Sequence, residues 1–392
     1  MDSAARAYNN AAMRPFTFHP RPRLLAGPDQ AVALAEKLPL GSCLFVTDAE
    51  LTRLGLTRAY QDAIGADRPV VLFDSVEADP SKDTLLAAID AGRSAEVTSV
   101  VAVGGGSPMD VAKLAAYLLG SGDNLDEIWG VGLATGQRLP LALVPTTAGT
   151  GSEATPISVI TCEGGVKLAV NATPLIADWA VLDATLTLGL PAHVTAATGI
   201  DAIVHAVEAF TSARLKNPLS DALAREALRL LSSNLLTVIE QPGDLEARSA
   251  MLLGAHLAGL AFSNAPVAGV HALAYPLGGL HHLPHGLTNA LMLRHVLAHN
   301  AEAARDHYAE LAEILDPDCA GQGSQSRSAL LIERLDDLAR RTGLALRLRD
   351  HGIAFEEAPI LAREAMKQTR LLVNNPCEIT ESDAQRLYEA AW

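Results

Sequence analysis

The segment TGIDAIVHAVEAF places Asp201 and His205 four residues apart. On a helix this spacing puts a carboxylate and an imidazole on one face, one turn apart, where both reach a single cation. Taken alone, the pair fits a buried Asp–His hydrogen bond equally well. Downstream, GVHALAYPLGGLHHLPHGLTNALMLRH supplies His271 and His285, fourteen residues apart, with Gly278, Gly279 and Pro284 between them. One straight helix cannot carry both rings, so the spacing calls for two helices joined by a turn. One carboxylate with three imidazoles suits Fe(II) or Zn(II). Four such ligands with room for an exogenous oxygen would polarise an alcohol or a carbonyl. His256, His281, His282, His295 and His299 are rivals for the same role, and spacing does not choose among them.

A second chemistry-bearing stretch is VVAVGGGSPMDVAKLAAY. Gly104, Gly105 and Gly106 sit between a strand pattern and a helix pattern and let backbone approach a ligand closely. Ser107 reads as an N-cap, Pro108 as the first helical position and Asp110 as a first-turn acid. Free N–H groups at such a helix start favour a phosphate. The pattern is neither GxGxxG nor a Walker A loop. A second loop, PTTAGTGSEATP, follows another strand pattern and carries Thr146, Thr147, Thr150 and Ser152. Two such loops at the ends of neighbouring parallel strands would line one crevice. Asp48 ends a further strand in FVTDAEL, where a carboxylate accepts from a ribose 2′-OH and repels a 2′-phosphate; by itself it also fits an N-cap.

The elements that must hold these residues change character along the chain. Strand patterns at 42–48, 69–74, 99–106 and 139–147 alternate with helical ones, and their near-continuous apolar runs fit parallel strands covered on both faces. After Pro191 the patterns are helical: 194–212, 219–240, 245–262, 286–305, 328–342 and 356–373. The expected architecture is an α/β parallel-sheet domain over 1–190 followed by an all-helical domain over 191–392. GQGSQSRS at 321–328 reads as a surface loop.

The 392 residues carry a net charge of −15, which argues against nucleic acid or an anionic membrane as partner. Charged residues are 19% and apolar ones 49%, so extensive disorder is excluded. No Asp, Glu, Lys or Arg occurs from 249 to 293, but three prolines and five histidines interrupt that stretch. It reads as buried core around a site rather than a membrane span. Cys43, Cys162, Cys319 and Cys377 form no CxxC pair, so neither a disulfide framework nor a thiolate zinc site is expected. The N-terminal residues lack an apolar signal core, and a cytoplasmic setting is the expectation.

Taken together, GGGSPMD, PTTAGTGSE, TGIDAIVHAVEA and HALAYPLGG…LPHG, in this order, resemble the iron-containing (group III) alcohol dehydrogenases. The resemblance runs from about Phe45 to the closing LYEAAW. It implies a Rossmann-like NAD(P)-binding domain, a helical domain in the dehydroquinate synthase-like fold, and a site in the cleft between them. It implies metal ligation by Asp201, His205, His271 and His285, and dinucleotide contacts from Asp48, Gly105, Gly106, Ser107, Thr146, Thr147, Thr150 and Lys167. Asp110 joins the cofactor-binding set through its place in the glycine turn. Asp48 implies NAD over NADP. Substrate-pocket positions fall on or near Ile157, Phe262 and Leu371, all apolar.

One position departs from the family pattern. Where many members carry a second histidine four residues after the third ligand, this chain has Tyr275. A phenol passes a proton, though its ordinary pKa near 10 suits neutral-pH relay less well than imidazole. Similar tyrosine-bearing relatives are the hydroxyacid–oxoacid transhydrogenases, while maleylacetate reductases commonly alter the ligands that this chain keeps. The expected activity is reversible NAD-linked oxidation of a small, mainly aliphatic alcohol, in a homodimer or higher homo-oligomer. An ω-hydroxy acid held by Arg370 is the alternative substrate class. A metal- or dinucleotide-binding protein without catalysis is the alternative outside the enzymes.

Overall fold

A computed structural model describes residues 15–392. The first part of the chain alternates strands and helices: β1 (Arg23–Ala26), α1 (Ala31–Ala35), β2 (Cys43–Val46), α2 (Ala49–Arg53), α3 (Arg58–Gly65), β3 (Val70–Phe73), α4 (Lys82–Ser94), β4 (Ser99–Gly104) and α5 (Gly106–Ser121). Four strands of a different spacing then lead to a last one: β5 (Gly130–Val131), β6 (Leu141–Pro145), β7 (Ile157–Thr161), β8 (Lys167–Asn171) and β9 (Trp179–Leu182). Six strands form one sheet in the order β1-β9-β6-β4-β2-β3, and every neighbour pair is parallel.

Alternation of side chains explains why the central strands are apolar throughout. Leu44, Val46, Val100, Ala102, Leu141 and Leu143 point to the face packed by α4 and α5. Cys43, Phe45, Val101, Val103, Ala142 and Val144 point to the face packed by α1 and α3. Both faces are buried, so no polar stripe is tolerated. The connection reverses direction between β2 and β4: β2 leads outward to β3, whereas β4 leads the other way to β6. Asp48 follows β2 and the glycine turn follows β4, so both lie at the switch point where open parallel sheets bind ligands.

Beyond Ala192 only helices are found among the described residues. They are α6 (Ala192–Thr211), α7 (Pro218–Glu240), α8 (Leu245–Asn264), α9 (Gly269–His281), α10 (His285–Asn300), α11 (Arg305–Leu315), α12 (Ser324–Arg341), α13 (Ala358–Met366), α14 (Thr369–Leu372) and α15 (Glu381–Ala391). The bundle has its own apolar core, with α6 buried along most of its length. No single described helix is long and apolar enough to cross a membrane; α8 and α9 together have the length and composition but bend by 105°. Both are largely buried inside the bundle.

Several expectations need correction. The strands β1, β5, β7, β8 and β9 carry no mark in the sequence reading. β7 and β8 pair antiparallel and, with β5, make a separate three-stranded sheet. Their cue is the Gly164–Gly165 turn, where both residues have positive φ. The stretch expected as one helix over 356–373 is two, α13 and α14, and 321–328 is not all loop, because α12 begins at Ser324. In the glycine turn, the N-cap is Gly105, not Ser107; Pro108 is the third helical residue, and Asp110 lies beyond the first turn.

The sheet and the bundle meet where the segment after β6 crosses α8. Gly151, at φ +57°, lies against Gly259 so closely that a Cβ on Gly259 would stand 2.8 Å from the Gly151 carbonyl oxygen. Backbone packs directly on backbone here, and any side chain must push the two parts apart. Gly259→Leu is expected to destabilise the protein by about 1–3 kcal/mol, the usual scale of overpacking. A thermal unfolding midpoint equal to that of the unaltered protein would count against this contact.

Candidate functional site

Asp201 and His205 project from consecutive turns of α6, His271 from the first turn of α9, and His285 from the first residue of α10. The two latter helices are separated by the break that Gly278, Gly279 and Pro284 suggest, with His282 in the left-handed region at φ 54°. One potential ligand atom from each of the four residues lies within 4.8 Å of all the others. Asp201 Oδ1 stands 3.7 Å from His205 Nε2, 3.8 Å from His271 Nε2 and 3.7 Å from His285 Nε2. Asp201, His205 and His271 are buried, and His285 is partly open on one side.

The electrostatics of this cluster follow from burial. Burial pushes the His205 imidazole down to about 3, so the ring is neutral and offers a lone pair. His285 is lowered for the same reason. Burial alone would raise Asp201; the facing imidazoles and an N–H from Asn289 outweigh it, and the carboxyl lies below its ordinary value. Three imidazoles around one ionised carboxylate, with His205 and His285 held neutral by burial, make a donor set that suits a divalent cation.

Two residues of this cluster have no place in the sequence reading. Glu208 lies 2.7 Å from His271 Nδ1 and also accepts the backbone N–H groups of Ala268 and Val270. It therefore fixes the ring with Nδ1–H outward and the Nε2 lone pair toward Asp201. Its signal is position: it is the only other acid on the Asp201 helix, one turn beyond His205. Asn289, one turn after His285, donates from Nδ2 to Asp201 Oδ1 at 2.6 Å.

Three of the five rival histidines are engaged elsewhere. His256 pairs with Glu153 at 3.0 Å, His281 faces Glu357 at 3.1 Å, and His299 meets the Glu378 carbonyl at 3.1 Å. Phe262 stacks on His205 with ring centroids 4.4 Å apart. Tyr275 lies one turn after His271, its ring centroid 5.9 Å from that of His285. Burial raises its pKa, against the opposing charge of Arg370, so it is a neutral phenol. Ile157 opens β7 and packs against the bundle core, to which buried Leu371 also belongs.

Across the cleft, the glycine turn faces the segment after β6. A Cβ on Gly105 would come within 3.8 Å of the Thr147 side chain, and one on Gly106 within 3.1 Å of Thr150. The Thr147 hydroxyl is buried and has no protein partner. An orphaned hydroxyl beside a side-chain-free turn at a helix start is what a pyrophosphate or ribose would fill. Thr146 donates its backbone N–H to the Gly104 carbonyl and ties the two loops together. Ser107 Oγ accepts the Asp79 N–H, and Lys167 pairs with the Asp79 carboxylate at 2.6 Å. Asp48 caps α2 by accepting the Leu51 N–H through Oδ1. Asp110 turns inward, where Ser152 Oγ and Val159 N–H take its two oxygens.

Comparison with known proteins agrees with this geometry. Residues 21–184 match the family model described as iron-containing alcohol dehydrogenase, and residues 195–392 match the C-terminal model of the same family. The chain belongs to the iron-containing alcohol dehydrogenases. It is an oxidoreductase of that type. It is 38% identical to long-chain-alcohol dehydrogenase 1 of Geobacillus thermodenitrificans, over 93% of each chain. The crystal structure of a 1,3-propanediol oxidoreductase superposes with a TM-score of 0.93 at 32% identity, covering 97% of this chain and 100% of that one. Sulfoacetaldehyde reductase from Bifidobacterium kashiwanohense, solved in complex with NAD+, superposes with a TM-score of 0.84 at 28% identity, covering 96% and 99%.

The Glu208 contact yields a test. Glu208→Gln keeps the shape but removes the charge that orients His271, and metal affinity is expected to fall about 10–100-fold. Competition with a chelator measures it, with NADH binding as the check on folding. Unchanged affinity would remove Glu208 from the metal centre.

Proposed function

We propose that this chain catalyses reversible hydride transfer between a small, mainly aliphatic alcohol and NAD, with the aldehyde as the other product. The observation that carries the reading is the buried Asp201–His205–His271–His285 cluster set across a cleft from the glycine turn. Those four residues would hold the metal, Fe(II) by family and Zn(II) by donor set. When bound, the metal supplies Lewis acidity toward the substrate oxygen and NAD supplies the hydride acceptor. The protein's own part is to orient and to exclude water. Gly105, Gly106, Ser107, Thr146, Thr147, Thr150 and Lys167 hold the dinucleotide, with Asp110 acting from behind the turn. Phe262 closes one side of the substrate space, and Ile157 and Leu371 extend its apolar wall. Tyr275, a neutral phenol beside His285, relays the substrate proton by accepting it as its own O–H proton passes on to solvent, and the reverse in reduction. The boundary between the dinucleotide-binding and catalytic halves falls at 190–191.

Absence of Arg and Lys from 249 to 293 supports an uncharged substrate, since a buried unpaired carboxylate is costly. The long-chain-alcohol dehydrogenase relative supports an aliphatic one. An ω-hydroxy acid is the second reading, favoured by Arg370: among the described residues its guanidinium makes no ion pair, and its charge reaches the Tyr275 phenol. Assay of protein loaded with Fe(II) on 1-pentanol and 5-hydroxypentanoate separates the two. The alcohol is expected to have the higher kcat/KM. A hydroxy-acid advantage that Arg370→Ala abolishes would establish the second reading instead.

Cofactor choice gives a further test. Asp48 ends β2 beside the switch point and places a carboxylate where a ribose 2′-OH would lie. Asp48→Gly is expected to lower the NAD/NADP ratio of kcat/KM. An identical ratio in both proteins would dissociate Asp48 from ribose recognition.

A further inference from the structure

Helix α5 is buried along nearly its whole length, yet it carries an ammonium inside. Lys113 is 0% exposed. Its Nζ lies 2.6 Å from Ser152 Oγ, 3.1 Å from Thr155 Oγ1 and 2.7 Å from the Ile157 carbonyl oxygen. These acceptors take the three N–H bonds of an ammonium, with none left over. Asp110 supplies the balancing charge, with Oδ1 3.6 Å from Nζ. That oxygen also accepts the Ser152 hydroxyl at 2.7 Å, and Oδ2 accepts the Val159 N–H at 2.9 Å. Burial lowers Lys113 and raises Asp110, and each charge opposes the shift of the other.

None of the three acceptors belongs to α5. They come from the short turn Ser152–Ala154, from Thr155 and from the first residue of β7. An ammonium in this place loses its hydration wholly and is tolerated only while those atoms surround it. The segment after β6 must therefore follow the lysine. From Ser152 the constraint passes on: its N–H donates to Thr150 Oγ1 at 3.3 Å, and Thr150 packs on the Gly106 position.

We propose that Lys113 is a positioning residue for the dinucleotide, holding the hydroxyl-bearing segment 146–152 against the glycine turn from the buried side. It touches no ligand. It sets the width of the crevice between two loops that are far apart in the chain, and through Ile157 it also fixes the start of the proposed substrate wall. This inference rests on NAD binding at that crevice.

The test uses the metal-loaded, full-length protein and NADH, followed by nucleotide fluorescence. Lys113→Met keeps the hydrocarbon length and removes the charge and the three donors. Its NADH affinity is expected to fall about tenfold, the scale of one buried coupling. Bound metal should stay at the unaltered level, and kcat at saturating NAD should change by less than about twofold while KM for NAD rises. Ser152→Ala, a milder change that stands in if the methionine variant does not fold, should weaken NADH binding in the same direction. The double variant should be no weaker than Lys113→Met alone, because both remove one chain of contacts. Unchanged NADH affinity in the variants overturns the proposal, as does parallel loss of metal and NADH, which is the mark of general loosening. If the unaltered protein fails to bind NADH, the dinucleotide reading itself falls.

Discussion

The segment 145–156 is the constraint on which the rest of the molecule depends. Hydride transfer needs its two carbons about 3–3.5 Å apart. In the proposed reaction one partner would be held by the sheet and the other by the helical bundle. The segment leaves β6, turns its threonines toward the glycine turn, presses Gly151 onto Gly259 of α8 and is anchored from below by Lys113. Glu153 in the same stretch meets His256 of α8. One short run of small residues thus registers the dinucleotide crevice against the metal cluster. Its composition follows from that duty: backbone must approach backbone on one side and hydroxyls must face a ligand on the other.

Buried charge is the second theme, and the molecule balances it in two ways. Around Asp201 the compensation is incomplete within the protein: burial keeps His205 and His285 neutral, and a single amide N–H from Asn289 reaches the carboxylate. Such a site has affinity for a cation by construction. Around Lys113 the compensation is complete, with every donor paired and a carboxylate alongside. The first cluster is built to accept something from outside, whereas the second is closed. Glu208 belongs to both kinds of arrangement, since it caps the start of α9 through two backbone N–H groups while orienting His271.

Legibility in the sequence followed the range of the interactions. β2, β3, β4 and β6 and the long helices of the bundle stand out because each has a local apolar pattern, and Asp201 with His205 is visible as a one-turn pair. β1 and β9 are invisible because their pairing joins short segments more than 150 residues apart, and β9 has its other partner in β6. β7 alternates half-open and buried positions, β8 is half-open or exposed at all but one position, and both needed the Gly164–Gly165 turn to betray them. Choosing His271 and His285 over five other histidines required the resemblance to a family, since competing rings differ in tertiary surroundings and not in spacing. Glu208, Asn289 and Lys113 escaped because an acid, an amide or a lysine in a helix is ordinary until its burial is known. The N-cap at Gly105 and the inward turn of Asp110 were hidden for a similar reason: both depend on where the facing loop sits.

The parallel pairing of β1 with β9 has a consequence for how the protein is made. Arg23–Ala26 leaves the ribosome first, but the strand it must join is completed only when Leu182 has been added. At ordinary elongation rates that interval is roughly 8–30 s. In its last part, the roughly 2–7 s between the completion of β6 at Pro145 and that of β9 at Leu182, β6 has no neighbour on its outer side, and a row of backbone donors and acceptors stands open beside one of the most apolar strands in the chain. Such an edge pairs readily with other chains. The nascent protein is therefore most exposed to self-association, and most in need of a chaperone, in the window between the completion of β6 and the arrival of β9.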